Sequence, residues 1–431
     1  MEAPEATQTV SVALAWALLG SAGCSSSERP PFVASGDVGS SQSDETIGTE
    51  ETMGTVGSSF ADSSSTALQG ESSSSSSVSS STSFATSSIG SESDDVGIGS
   101  GTDTGTDTGT DTGDPPGACP EALDDALMAQ IQPYVDHVEA MAPTMLSNIV
   151  PSLSVAVVGN GEVAWAKAYG QADKQAGTPV DVENTTFQVA SISKTVTAWG
   201  VMKAVEMGLM ELDAPVEQYL TRWQFPPSGY DSSQVTVRRL LSHTGGTSIS
   251  GYGTGYVSEP LPTLEDSLNT FDGGVRIIVQ PGTEHRYSGG GYTVLQLALE
   301  EVTGETFTEF MDREIVAALD MTHSSFQWSD DIKPVTAKAY GDAGELFPNF
   351  LFTEKAAAGL YATATSLAKF AAAGMENKCG APAGRGVLTP ESVDLMHTAQ
   401  PATQESYGLE GVPQKNAENF VNPRGCDLRQ E

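Results

Sequence analysis

A long low-complexity segment, residues 25–118, restricts where this 431-residue chain can build a folded domain. Ser, Thr, Gly and acidic residues dominate it, and the repeat Gly101-Thr102-Asp103-Thr104 recurs through Thr112. So few apolar side chains cannot offset the entropy of ordering, and the segment is predicted to be a disordered linker. The folded part is therefore expected to begin near residue 119, and the roughly 310 residues that follow are enough for a sizeable core.

Residues 1–24 are predicted to form a lipoprotein-type signal peptide. A short apolar run from Val10 to Gly20 leads to Ser21-Ala22-Gly23-Cys24, which resembles the lipobox of bacterial lipoproteins, although the first nine residues carry no Lys or Arg. Lipidation of Cys24 would anchor the exported chain in the bacterial cell envelope, facing the periplasm or the cell surface. The membrane would then be contacted only through the lipid on Cys24, with the linker as a passive stalk.

The charge of the chain excludes some classes of partner. The formal net charge is −36 and the sequence pI is near 4.2. This balance argues against nucleic acid and against anionic lipid surfaces. The five histidines show no metal-ligand spacing and the four cysteines form no paired cluster, so neither a metal site nor a cofactor is expected. A Cys119–Cys379 disulfide is possible in an oxidising compartment, and Cys426 falls near the end of the chain.

Ser191-Ile192-Ser193-Lys194 is the motif that carries most chemistry. A serine hydroxyl needs a base to become a good nucleophile, and a lysine three residues later on a helix lies on the same face. A serine at a helix N-terminus also lies beside outward-pointing N–H groups, which can stabilise the oxyanion of acyl transfer. Ser366-Leu367-Ala368-Lys369 fits the same pattern and is predicted to be the capped first turn of a surface helix. Spacing alone does not choose between the two.

The surrounding sequence, from about residue 118 to 408, resembles the serine β-lactamase and penicillin-binding family, nearest to its class C and esterase-like branch. Five stretches in family order carry the resemblance: Thr186-Phe187 through Thr195, Gly208-Leu209 through Val216, Leu240 through Gly246, Pro281-Gly282 through Gly289, and Gly359-Leu360-Tyr361-Ala362-Thr363. Five stretches in order are far more specific than any one of them.

The resemblance implies both a fold and catalytic roles. The fold would be α+β of the β-lactamase/transpeptidase type, with a central antiparallel sheet flanked by helices and an α-rich lobe, within residues 119–409. Ser191 would be the nucleophile that becomes acylated, Lys194 would help to deprotonate it, and Tyr287 would be the second acid/base group. In a partly desolvated site either the amine or the phenol can accept the serine proton near neutral pH.

The sequence departs from the family pattern after Tyr287. The family usually has Tyr-x-Asn, whereas this chain has Tyr287-Ser288-Gly289 followed by Gly290 and Gly291. Loss of the asparagine amide removes a donor and an acceptor for substrate, and the glycines are expected to open space and add flexibility. An ester or peptide substrate is therefore favoured over an antibiotic.

A second departure concerns the end of the chain. No Lys-Thr-Gly or His-x-Gly triplet follows Tyr287, Lys415-Asn416-Ala417 being the nearest, and residues 410–431 show neither strand alternation nor a helical period. The C-terminal strands of the fold are therefore expected to be missing, leaving unpaired sheet edges, an incomplete domain with an irregular tail, and an impaired enzyme.

Local patterns predict several elements. A helix is expected over residues 121–141, with Leu123, Leu127, Ile131, Val135 and Val138 buried and a bend near Pro133. Strands over 152–158 and 163–169 are expected to join through Asn160-Gly161. The helix that follows Ser191 should be buried on one side and end near Gly208, and residues 209–330 should form helices and loops. His243 is expected to be structural, because no carboxylate is fixed near it.

Two classes of function remain open from the sequence. The first is a serine acyl-hydrolase acting on a β-lactam, a D-alanyl peptide or an ester, with a small-molecule or peptidoglycan-derived substrate. The second is a non-catalytic or impaired penicillin-binding-like surface protein that lacks the third active-site motif. Substrate specificity depends on loops, which the motifs do not determine.

Overall fold

The computed structural model describes residues 123–402, apart from 149, 254, 257, 342 and 343, together with the backbone of residues 13–17. The predicted linker, the irregular tail, Cys24, Cys119 and Cys426 lie outside the described residues, as does most of the predicted signal peptide. Among the described helices, none combines the length and apolarity needed to cross a membrane.

An antiparallel sheet forms one layer of the molecule. Its four strands are β1 (Ala13–Ala17), β2 (Ser152–Gly159), β3 (Glu162–Asp173) and β4 (Thr178–Pro179), adjacent in that order. The predicted hairpin is confirmed: β2 and β3 are joined by Asn160 and Gly161, with φ of 53° and 75°. Positive φ at both central residues matches the twist of the flanking strands, which is why Asn-Gly is favoured there.

The edge of β2 that faces away from β3 is paired with residues that belong to the predicted signal peptide. Strand β1 runs antiparallel to β2, with Ala13 opposite Val158 and Ala17 opposite Ser154. An apolar segment can satisfy the N–H and C=O groups of a buried strand, but signal-peptide cleavage before Cys24 would remove β1, so unpaired sheet edges stay a prediction for the processed chain.

Helices cover both faces of the sheet. Strand β2 is buried throughout and alternates between them: Val155 and Val157 face helix α1 (Asp125–Asn148), while Ala156 and Val158 face helix α8 (Ala364–Ala373). This is the period of two that a strand imposes. The two other strand pairs are short: β5 (Phe187–Gln188) with β8 (Tyr361–Ala362), and β6 (Ala339–Tyr340) with β7 (Leu346–Phe347).

Helix α1 differs from its prediction at both ends. It begins at Asp125 and continues to Asn148 through Pro133 and Pro143. Four of the five predicted core positions are buried, but Leu123 precedes the helix and is exposed. Helix α8 is also not the surface helix that was expected, because eight of its residues are buried and its alanines pack on β2.

The α-rich lobe predicted for residues 209–330 is confirmed. Its α-helices are α3 (Val237–Leu241), α4 (Leu264–Thr270), α5 (Gly289–Thr303) and α6 (Phe307–Met311). The other α-helices of the described residues, besides α1 and α8, are α2 (Ile192–Glu206), α7 (Lys355–Ala358) and α9 (Pro390–His397). Helix α2 ends before Gly208, as predicted. It is buried around most of its circumference rather than on one side, because α5, α6 and α7 surround it.

Candidate active site

The turn before helix α2 is held in a strained conformation. Strand β5 leads through Val189 to Ala190, whose φ is +45°, in a region that residues with a Cβ rarely adopt. Ser193 stabilises this turn, because its hydroxyl donates to the Ala190 carbonyl at 2.5 Å and accepts from the Leu360 N–H at 2.9 Å. The Leu360 carbonyl in turn accepts from the Val189 N–H at 3.1 Å. The backbone that presents Ser191 is therefore fixed to the strand beside it.

Ser191 is the N-cap residue of α2 but does not use its side chain as a cap. Its Oγ instead accepts from Nζ of Lys194 at 2.9 Å. Among the described residues, no acceptor takes the Ser191 backbone N–H. A hydroxyl beside an amine, with an available N–H next to it, is the arrangement that acyl transfer needs.

Lys194 is buried, with 1% of its surface exposed. Its Nζ also donates to the Ala357 carbonyl at 2.8 Å and lies 4.8 Å from the ring centroid of Tyr287. The structure therefore brings together the three residues singled out from the sequence, Ser191, Lys194 and Tyr287. Sequence reasoning missed the Ala357 carbonyl, because a backbone acceptor leaves no signal in the residue pattern.

The contacts of the second Ser-x-x-Lys match distinguish it from the first. The Ser366 hydroxyl donates to the Thr322 carbonyl at 2.7 Å, whereas Lys369 Nζ pairs with the Asp320 carboxylate at 2.6 Å. Thr363 caps this helix by accepting from the Ser366 N–H, as predicted. These side chains serve the helix and its neighbours, so their geometry does not suit nucleophilic catalysis.

His243 supports the backbone on both sides of Tyr287. Its carbonyl accepts from the Arg286 N–H at 2.7 Å and its Nδ1 accepts from the Ser288 N–H at 3.1 Å. Its ring centroid lies 4.4 Å from that of Tyr287. Burial, aided by the positive charge of Lys194, lowers the pKa of His243 to about 3. The imidazole is neutral near pH 7, which agrees with a structural role, but its contact with Tyr287 was not foreseen because it joins distant segments.

Replacing His243 with Asn should make folding stability less sensitive to acid. Between pH 6.5 and about 3 the unfolded histidine binds a proton that the folded histidine does not, so the wild type loses stability as pH falls through this range. Asn accepts a hydrogen bond without titrating and tolerates the φ of +56° at this position. Urea unfolding of both proteins at several pH values measures the difference. His137→Asn, at an exposed position, is the control, and a wild-type slope in His243→Asn would contradict the assignment.

The glycines after Tyr287 do not add open space or flexibility, contrary to expectation. Ser288 caps α5, and the N–H groups of Gly289 and Gly290 donate to the carbonyls of Ser250 and Ile249. A Cβ on Gly289 would lie 3.3 Å from the Tyr252 ring, and one on Gly290 would lie 2.6 Å from the Ser248 carbonyl oxygen. These glycines permit close backbone approach, which sequence alone does not distinguish from flexibility.

Two further expectations concern metals and disulfides. Within the described chain, no three or more His, Cys, Asp or Glu side chains are grouped so as to hold a metal ion. Cys379 is disulfide-bonded, and the other three cysteines of the chain lie outside the described residues. The Cys119–Cys379 pairing therefore stays a prediction.

Comparison with known proteins identifies the class. The Beta-lactamase family model matches residues 130–414, and the chain belongs to this family. The esterase EstB of Burkholderia gladioli is 33% identical over 191 residues, covering 40% of this chain and 46% of EstB. Protein flp of Staphylococcus aureus (strain NCTC 8325 / PS 47) is 26% identical over 181 residues, covering 41% of this chain and 35% of flp. The chain thus spans less than half the length of these curated relatives.

Solved structures share the β-lactamase/transpeptidase fold. An octameric penicillin-binding protein homologue from Pyrococcus abyssi superposes with a TM-score of 0.51 at 25% identity, covering 66% of this chain and 64% of that one. A class C beta-lactamase superposes with a TM-score of 0.50 at 25% identity, covering 63% and 70%. The α+β fold that the motifs implied is confirmed.

Proposed function

We propose that this protein is a serine acyl-hydrolase that forms an acyl-enzyme on Ser191. The observation that carries the proposal is the buried amine of Lys194, which lies 2.9 Å from Ser191 Oγ and 4.8 Å from the centre of the Tyr287 ring. Ser191 Oγ attacks the substrate carbonyl carbon, and its proton passes to Lys194 or Tyr287. The Ser191 N–H stabilises the oxyanion. Collapse expels the leaving group, which takes up the proton, and water then hydrolyses the acyl-enzyme.

Among β-lactams, D-alanyl peptides and esters, a simple ester is the substrate class we favour. Position 289 is glycine, so the family's asparagine amide is absent beside Tyr287, and Tyr252 lies against the space that its side chain would enter. A site with fewer fixed polar groups discriminates less strongly among acyl groups. The relative at 33% identity is named an esterase, which supports the same choice.

The proposal includes a cellular location, and the sequence leaves one alternative function. The motif Ser21-Ala22-Gly23-Cys24 supports export to the cell envelope and anchoring through a lipid on Cys24. The alternative is a penicillin-binding-like surface protein that acylates slowly or not at all, and residues 288–431 contain no Lys-Thr-Gly or His-x-Gly triplet.

Intact-protein mass spectrometry of the 431-residue chain tests the proposal. The protein is mixed with a p-nitrophenyl ester or a labelled penicillin and sampled over time. We expect an adduct that proteolytic digestion locates on the peptide containing Ser191, transient with the ester and accompanied by nitrophenol release beyond one equivalent. A persistent adduct with both reagents would favour a binding protein, and no adduct with either would overturn the hydrolase assignment.

A further inference from the structure

Gln296 bridges two backbone groups on either side of a short turn. It lies on α5 and is buried, with 3% of its surface exposed. Its Nε2 donates to the Thr353 carbonyl at 3.0 Å, and its Oε1 accepts from the Ala356 N–H at 3.0 Å. Both ends of one carboxamide therefore hold the chain where helix α7 begins.

This turn presents the carbonyl that contacts the catalytic amine. Ala357, the residue after Ala356, accepts the hydrogen bond from Lys194 Nζ at 2.8 Å. Thr197 on α2 holds the same turn from the other side, donating to the Ala356 carbonyl at 3.1 Å. Helix α7 has only four residues, too few to be stable without such contacts. The place of the Ala357 carbonyl thus depends on side chains from α2 and α5.

Gln296 also belongs to the helix that begins beside Tyr287. It lies seven residues after Gly289, which puts both positions on the same face of α5. This face of α5 has no side-chain amide at position 289, but two turns later it has the Gln296 amide, which contacts α7. Helix α5 consequently connects the backbone beside Tyr287 to the turn whose Ala357 carbonyl accepts from Lys194.

We propose that Gln296 is a positioning residue for the acylation step, acting through the Ala357 carbonyl to hold the Lys194 amine against Ser191. This inference rests on the proposed function. Displacing a catalytic group by about 1 Å can cost about 10²-fold in rate, so loss of the bridge should affect the rate of acylation more than substrate binding. Gln296 itself does not touch the substrate.

The first test compares Gln296→Met with Leu297→Ala. Methionine has a similar length and no amide, whereas Leu297 is buried on the same helix and has a side chain that cannot form hydrogen bonds to α7. We expect Gln296→Met to lower the acylation rate constant with the p-nitrophenyl ester, measured by stopped flow, by about 10- to 100-fold with little change in the substrate dissociation constant. Leu297→Ala should lower the unfolding temperature without this effect. Equal rate losses in the two variants, or a wild-type rate in Gln296→Met, would overturn the inference.

A conservative variant keeps the test decisive if Gln296→Met folds poorly. In Gln296→Glu the buried carboxyl should be neutral, with an acceptor for Ala356 and a donor for Thr353. We expect it to recover most of the wild-type rate. A folded Gln296→Glu protein that is as slow as Gln296→Met would contradict a role for these hydrogen bonds.

A measurement that does not depend on catalytic activity tests this inference separately from the proposed function. The ¹³Cε signal of Lys194, assigned by its absence in Lys194→Met, is titrated in the wild type, Gln296→Met and Leu297→Ala. Loss of the Ala357 acceptor removes a bond that favours the charged amine, so the midpoint should fall only in Gln296→Met. Neither variant replaces any of the titratable residues near this site, which are Tyr287, His243, His285, Glu354 and Lys355. An unmoved midpoint would refute the inference even if the wild type forms no adduct.

Discussion

Ser191→Ala is expected to form no acyl adduct and to lose about 10⁴-fold or more of the rate of ester hydrolysis. The reason is chemical, because alanine offers no oxygen to attack the carbonyl. The side chain of Ser191 makes no capping hydrogen bond, so helix α2 should stay formed, and loss of the hydrogen bond from Lys194 should cost about 1 kcal/mol of stability. The measurements are mass spectrometry with the p-nitrophenyl ester, nitrophenol release, and thermal unfolding.

The chain supplies its own matched control in the second Ser-x-x-Lys sequence. Ser366→Ala removes the hydroxyl that donates to the Thr322 carbonyl, so it should cost about 1 kcal/mol of stability and no activity. If Ser366→Ala abolished the adduct while Ser191→Ala kept it, the nucleophile would be misassigned. Two serines in the same motif are thus distinguished by one pair of variants.

The local features of this fold were predictable because neighbours in sequence determine them. Asn160-Gly161 specifies a hairpin, and Val196, Trp199 and Met202, which recur at a helical period after Ser191, are buried. The three-residue spacing on a helix predicted that Lys194 lies beside Ser191, and the two side chains are hydrogen-bonded. Periodicity does not reveal how many elements surround a helix, which is why burial of α2 on one side was predicted and burial on most sides was found.

The remaining features of the site depend on contacts between distant segments. Tyr287 came from a family resemblance, since nothing local predicts that it lies near Lys194. His243 meets Tyr287 only because the turn after α3 packs against the start of α5. The Ala357 carbonyl and its support from Gln296 join three segments of the chain. Backbone acceptors and long-range pairs of this kind have no signature in a single sequence.

Lys194→Met is expected to reduce the acylation rate by about 10²–10⁴-fold, the range for loss of a general base. Methionine fills much of the volume of the lysine stem but cannot accept or return the Ser191 proton. The Ala357 carbonyl then loses the partner that it has at 2.8 Å, so a stability loss of about 1–3 kcal/mol should accompany the change. Stopped-flow acylation and urea unfolding measure the two effects separately.

Lys369→Met is the corresponding control. Lys369 lies on α8 and pairs with Asp320, so its replacement should affect neither the acylation rate nor the adduct. Tyr287→Phe, made in parallel, separates the two candidate bases. If Lys194 takes the proton, Tyr287→Phe retains more acylation than Lys194→Met, and the reverse order assigns the proton to the phenol. A Lys194→Met protein that is folded and acylates at the wild-type rate would show that the amine 2.9 Å from Ser191 Oγ does not activate it, and the proposed mechanism would then be wrong.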